Sequence, residues 1–335
     1  MMQRIAVRYY RPLILLSLLV LFLLVVLHVA AGSVVISPFD VIAALFNRPV
    51  APYERIIVWD LRLPRALIAL VAGAMFGLAG AILQSIMRNP LAEPEMTGAT
   101  SGAVLFAVLW LSEAGRQLDQ PGLLLPFVAL PGGLAGGCLV YLLGGAGKSA
   151  TSRLVLTGVL ISAVLRSATS IILLLRQEAL GAVLLWLIGS LNGRVWPHWD
   201  VLWPWAIVAL PSGLACAGLA NVLQLGDASA TGLGLRVGWT RLSLFFIATL
   251  LTAGAVAVVG GITFLGLIAP HIARRVVGAD ARRLFPFSML MGAGILLAAD
   301  TITQTIAQPV TIPVGAALVL LGAPYFLFLI WRRST

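Results

Sequence analysis

Apolar runs of about twenty residues recur along the 335-residue chain, and each is long enough to cross a ~30 Å hydrocarbon layer as one helix. A helix on the surface of a water-soluble domain would carry a polar stripe instead. The reading is therefore an all-α, polytopic membrane protein. Composition agrees, since 60% of the residues are apolar and 10% charged, against roughly a quarter charged in a soluble domain. Too little polar surface remains to coat a soluble particle.

Ten spans are expected, at 13–31, 64–86, 99–112, 122–145, 154–176, 201–223, 242–259, 263–277, 286–303 and 316–331. The first follows Arg4, Arg8 and Arg11. It is too long for a secretory signal core and lacks a small-x-small cleavage site, so it reads as a retained helix. An even number of spans puts both termini on one side. With the N-terminus inside, the inner face collects fourteen bases and four acids, and the outer face seven of each. That asymmetry favours cytoplasmic termini. The net charge of +10 is spread between apolar runs, without the aromatic interleaving of a nucleic-acid surface. No nucleic-acid partner is expected; membrane lipid is.

Two stretches, 37–46 and 181–191, are too short to span and are expected as interfacial or re-entrant helices on the outer face. The tryptophans at 186, 196, 199, 203 and 205 read as interfacial anchors. Gly73, Gly77 and Gly80 in the second span, and Gly132, Gly133, Gly136 and Gly137 in the fourth, allow close helix approach. The second span should therefore be central. Both halves run from a glycine-rich helix into a break bearing proline and arginine, Arg88–Pro94 and Pro270–Arg275. Starting on opposite sides of the membrane, they would be inverted repeats.

Chemistry is sparse. Gly144 to Ser149 imitates a phosphate loop, but Leu142 stands where its first glycine belongs. Lys148 then reads as a loop charge. The histidines at 28, 198 and 271 have no second ligand at metal spacing, and Cys138 and Cys216 read as core fillers. No catalytic constellation is visible and no bound cofactor is expected. Two ionisable residues lie deep in spans: Arg166 in the fifth and Asp300 in the ninth. Arg166 must face protein or a water-filled path. Structural pairing and a role in passing an anionic substrate both remain open for it.

The stretch Arg62-Leu63-Pro64-Arg65 opens RLPRALIALVAGAMFGLAGAILQSIMRNPLAEPEMTGATSGA, which closely resembles the signature of the iron-chelate and cobalamin uptake permeases, the type II ABC importers (FecCD-like). GGITFLGLIAPHIARRVVGADARRLFP, GAGILLAAD, IPVGAALVLLGAPYFLFLI and WLIGSLNG resemble it in the same order, so the likeness covers nearly the whole chain. The resemblance implies one permease domain over 1–335 with ten helices, paired with a second copy or a paralogue. It implies two cytoplasmic ATPase subunits, a soluble substrate-binding protein, and a place in the bacterial inner membrane. The cargo it implies is a ferric siderophore, with haem or cobalamin as alternatives. From the residues alone, an ion-coupled carrier or a scaffold without flux stays open.

In such permeases the RLPR arginines meet glutamates of the binding protein, which points to Arg62 and Arg65 as docking cations. Residues 225–241 occupy the place of the cytoplasmic coupling helices, with Gly226, Asp227, Ala228, Ala230, Leu233 and Gly234 as the expected ATPase contact. Asp227 stands where many relatives carry glutamate. Gln304 replaces an arginine of some relatives and Thr311 the usual glutamate, departures that weaken a third docking contact and are consistent with one half of a heterodimer.

Overall fold

The computed structural model describes residues 2–112, 121–144, 150–175, 186–306 and 312–334, and contains no strand among them. The chain opens with α1 (Met2–Ala30), α2 (Pro38–Leu45) and α3 (Pro52–Ile56). A π-turn over Ile57–Arg62 leads into α4 (Leu63–Met87), and a 3-10 turn, Pro94–Thr97, precedes α5 (Ala99–Ser112). Then come α6 (Pro121–Gly144), α7 (Ala150–Leu175), α8 (Trp196–Ala215) and α9 (Ala217–Gln224). The last five are α10 (Asp227–Gly232), α11 (Val237–Val259), α12 (Leu265–Val277), α13 (Ala281–Ile306) and α14 (Val314–Ser334).

Each of the ten expected spans is helical, but they do not all cross as single full-length helices. Among the described residues six stretches have the length and apolarity for that, and α8 with α9 forms a seventh, bent by 43°. The apolar part of α14 is short, Val314–Leu327, and so is α5. With 14 residues in α5 and 13 in α12, each reaches only about 20 Å. Both are short because both start inside the bundle. After Met87 the chain turns at Arg88, in left-handed conformation (φ 47°), and climbs back so that Pro94 packs on Gly266. The second break is not at Pro270–Arg275, which lies within α12. It is at Gly260 (φ 78°) to Phe264 (φ 65°), where left-handed backbone stops the helix. Pro94 and Gly266 meet near the middle of α4, beside Phe76 and Gly80. A consequence for the charge map is that Glu93 and Glu95 sit on this returning turn, not on the cytoplasmic surface.

The glycines expected to bring helices together do so. α4 is the central element, with 83% of its apolar window buried. A Cβ on Gly73 would lie 2.5 Å from the Gly292 carbonyl oxygen and 2.8 Å from Cα of Ala293. Gly77 faces Ser288, and Gly80 faces Gly266. On the other side of the bundle Gly102 and Gly132 cross face to face, Gly133 meets Ala253, and Gly137 meets Thr249. Lipid offers no hydrophobic drive for helix association, so this contact area holds the bundle together.

Two anchoring expectations change. α2 is capped by the Ser37 hydroxyl and tucks Val41 and Ala44 inward, while Phe39 and Phe46 stand exposed. Trp186, expected at the interface, is instead buried, because residues 186–190 are wedged between the Gly260 break and the start of α14. There Ser190 donates its amide to the Val259 carbonyl at 2.9 Å, and Gly315 to the Gly189 carbonyl at 3.1 Å. Trp203 is exposed, and Trp196 donates its indole N–H to the Trp59 carbonyl at 2.9 Å. Cys138 is no core filler: it lies on an outward surface of α6. The phosphate-loop look-alike from residue 145 onward, Lys148 and Thr311 lie outside the described residues.

Gly73→Leu is expected to force α4 and α13 apart and lower thermal stability by about 3 kcal/mol or more. Gly218→Ala, at a glycine with nothing within 4 Å of the added carbon, should leave stability unchanged. Melting of the purified protein in detergent measures both.

Candidate functional site

Three clusters of polar side chains break the apolar bundle, one toward each end and one between. At one end, the backbone turns at Gly226 (φ 109°) into the six-residue α10, and at Gly234 (φ 82°) out of it. Both bends use conformations that favour glycine. Asp227 opens α10, and its carboxylate is shared: Arg88, at the end of α4, donates through Nη2, and Arg241, in α11, donates at 3.1 Å to each oxygen. Arg88 also holds the Leu223 carbonyl through Nε at 2.9 Å. The short helix is thereby tied to the central helix and to α11.

Burial alone would raise the Asp227 carboxyl, but hydrogen bonds and charge from Arg241 and Arg88 outweigh it and hold it below the usual carboxylate range. Asp280 nearby is likewise depressed: burial again opposes, while the Asn221 amide at 2.7 Å, the Arg282 amide and the arginines at 282 and 283 prevail. Of the residues expected to touch an ATPase, Ala228, Leu233 and Gly234 are exposed. Ala230 is fully buried, because its methyl faces the body of the bundle, and Asp227 turns toward its two arginines. Leu225 and Trp239, which sequence reasoning passed over, are as exposed as Leu233.

Toward the opposite end, Arg62 closes the π-turn and points inward. Its guanidinium donates to the carbonyls of Val29 (2.8 Å) and Ala30 (3.1 Å), the last residues of α1, and of Val34 (2.5 Å) just beyond it. A cation suits a helix C-terminus, where carbonyls lack partners. Gly32 makes the room, since a Cβ there would lie 2.7 Å from Nη2. Arg65, one turn on, grips Asp300 of α13 with two parallel bonds of 2.7 and 2.8 Å; the two side chains are 14% and 1% exposed. His28 lies 3.6 Å from the same carboxylate and pairs with the Thr301 hydroxyl at 3.0 Å, while Gln304 donates to the His28 carbonyl at 3.1 Å. The expectation that both RLPR arginines project as docking cations therefore meets a different geometry. Both guanidiniums have internal partners, and the exposed arginines near them are Arg48 and Arg55.

Between the two ends, Arg166 of α7 donates to Glu95 on the returning turn. Glu93 lies beside Glu95 and is hydrogen-bonded to the backbone of Phe264. No group of three metal-ligating side chains occurs among the described residues.

The profile of the FecCD transport family matches residues 18–332. The chain belongs to this family. Among curated FecCD relatives, the Fe(3+)-citrate import permease YfmE of Bacillus subtilis is 37% identical over 331 residues, covering 98% of each chain. The iron(3+)-hydroxamate import permease FhuG of the same organism is 36% identical, covering 97% of this chain and 98% of its own. The Fe(3+) dicitrate transport permease FecD of Escherichia coli is 39% identical, covering 82% of this chain and 85% of its own. A metal-chelate type ABC transporter solved in an inward-facing conformation superposes with a TM-score of 0.85 at 27% identity, covering 96% of this chain and 99% of that one. The chain is thus a multi-pass permease of ABC-transporter type, and its FecCD fold is the all-helical, type II importer architecture.

Within this FecCD permease the expected site residues fall into separate clusters. Asp300 and Arg65 were singled out independently, but nothing in a linear reading joins residues 235 positions apart. Glu95 was missed as a partner of Arg166 because it looks like a loop acid until the turn folds back. Removing one member of a buried ion pair strands the other, so Arg65→Ala or Asp300→Ala should each lower stability by about 3–5 kcal/mol. The double variant should lose less than the sum, which a thermal double-mutant cycle would reveal.

Asp227 gives a pH expectation. Its folded-state pKa is depressed, so its stabilising contribution is fully present above the ordinary value of 3.8 and is lost as pH falls through the lower folded value. Asp227→Asn should raise the rate of tryptic cleavage after Arg236 at neutral pH, where wild-type remains protected.

Proposed function

We propose that this chain is the membrane-spanning subunit of a bacterial ABC importer that passes a ferric chelate of the siderophore type inward across the cytoplasmic membrane. It works as a pair, with a second copy or a paralogue. Two cytoplasmic ATPases supply the energy, and a soluble binding protein delivers the chelate to the outer face. Both termini lie in the cytoplasm. Hydrolysis belongs to the partners, and this chain binds no resident cofactor.

The observation that carries the reading is the segment 225–241. Leu225 and Leu233, on either side of the short α10, and Trp239, in the first turn of α11, present apolar surface beside a base braced by Arg88–Asp227–Arg241. An apolar knob of this kind suits a groove on a partner. Movement of that partner would be transmitted through Asp227 into α4, which packs on Ser288, Gly292 and Gly266, so that a push at the base reaches the centre of the bundle. The iron-citrate and iron-hydroxamate cargo of the relatives supports a ferric chelate. A hemin transport permease of Yersinia pestis, 37% identical over 289 residues, keeps haem as the second reading.

In proteoliposomes carrying the full complex, Leu233→Glu should cut ATP-dependent chelate uptake about tenfold or more, as expected for a buried apolar contact, without loss of the folded permease. Deleting 225–241 should abolish uptake. Uptake that survives this deletion and follows a proton or sodium gradient would show an ion-coupled carrier instead.

A further inference from the structure

α7 is the most open of the long helices: only 17% of its window Ser152–Leu175 is buried. Its exposed surface is not uniform. Ala163, Arg166, Ser167 and Ser170 are all exposed and follow the spacing i, i+3, i+4, i+7, so they share one face. One turn beyond at each end, that face returns to Val159 and Leu174. About a quarter-turn around the helix, Val164 and Ile171 present an ordinary lipid-facing surface. The polar patch is therefore confined to the middle of the span.

Arg166 stands 16 residues, about 24 Å, from the start of α7 and nine, about 14 Å, from its last described residue. Its side chain is 52% exposed and that of Glu95 23%. The pair is held firmly. The Ser162 hydroxyl donates to the Glu95 carbonyl at 3.2 Å, and Gly158 leaves room for the Met96 carbonyl. Glu93 fills the space behind, against Phe264. Of the five N–H donors of a guanidinium, the described contacts place one on Glu95; the outermost group of the cluster is the cation.

Such a patch cannot face hydrocarbon. A dry protein contact would need to supply acceptors for the remaining donors. Water supplies them without further partners.

We propose that Arg166, positioned by Glu95 on a hydrated face of α7, is a transient contact for the carboxylate or other anionic oxygens of a passing chelate. The nature of the passenger rests on the importer reading above. The hydration and the sign of the site do not.

The test is thiol labelling in native membranes containing the whole transporter, with Cys138 and Cys216 replaced by serine. Ser167→Cys and Val164→Cys are each treated with the anionic sulfonatoethyl and the cationic trimethylammonioethyl methanethiosulfonate, and rates are normalised to a small thiol in solution. Ser167→Cys should react with both reagents and Val164→Cys with neither. The normalised anion-to-cation ratio at Ser167→Cys should exceed one and fall about tenfold when Arg166→Gln is added. Taking the ratio cancels any effect of Arg166 on ionisation of the thiol itself. Glu95→Gln combined with Arg166→Gln keeps the site neutral and should show the same fall, which covers misfolding around a stranded carboxylate. No reaction at Ser167→Cys, or equal reaction at Val164→Cys, overturns the hydrated Arg166 face and with it the contact. Reaction without sign preference overturns the anion contact. Chelate accumulation without ATP would sink the importer reading yet leave this labelling pattern untouched.

Discussion

Close approach of helix backbones at glycine is the contact on which the bundle depends. In hydrocarbon every backbone group must find its partner inside the protein, and burying one apolar side chain against another gains little over burying it in lipid. Association must come from packing density. Gly73, Gly77 and Gly80 let α4 lie directly on α13 and α12, and Gly102 with Gly132 does the same for α5 and α6. A side chain at these positions would occupy the space of a neighbouring carbonyl. With α4 fixed at the centre, the returning turn at 93–97 and the break at 260–264 have a wall to pack against. Non-helical backbone is tolerated at that depth because protein surrounds it.

The same constraint governs the charges. A lone ion within the span would be very unfavourable, so Arg65 is joined to Asp300, Arg62 to the carbonyls at the C-terminal end of α1, and Arg166 to Glu95. Each link connects elements distant in sequence, so the polar groups register the apolar helices against one another. At the end of the bundle where α4 finishes, Asp227 ties the segment 225–241 to α4 and α11. The three clusters thus differ in what they face: carbonyls and carboxylate at one end, an open face in the middle, and exposed apolar side chains beside the braced carboxylate at the other.

Much of this was legible beforehand. Hydropathy placed its ten expected spans on helix, because a span is recognised by length and apolarity alone. Glycine spacing marked α4 as central. The motif likeness gave the family. Misreadings arose where the chain reverses within the bundle. Glu95 was counted with the cytoplasmic loops, Trp186 with the headgroups and Cys138 with the core. Arg62 and Arg65 were expected to project as docking cations because the RLPR motif resembles one that does so in such permeases. In each case the residue type was read correctly and its direction was not.

Local pattern therefore determined what this chain is: helices, their approximate ends, their crowding and the family. It could do so because those properties depend on residues within a turn or two of each other. Only tertiary structure decided which ions pair, that α5 and α12 begin inside the bundle, and that the Arg166 patch lies on an open face. Those depend on helices far apart in sequence meeting at a given depth, and that depth is set by the left-handed turns at Arg88, Gly260 and Phe264 and by glycine contacts across helices. Nothing periodic in the sequence records them.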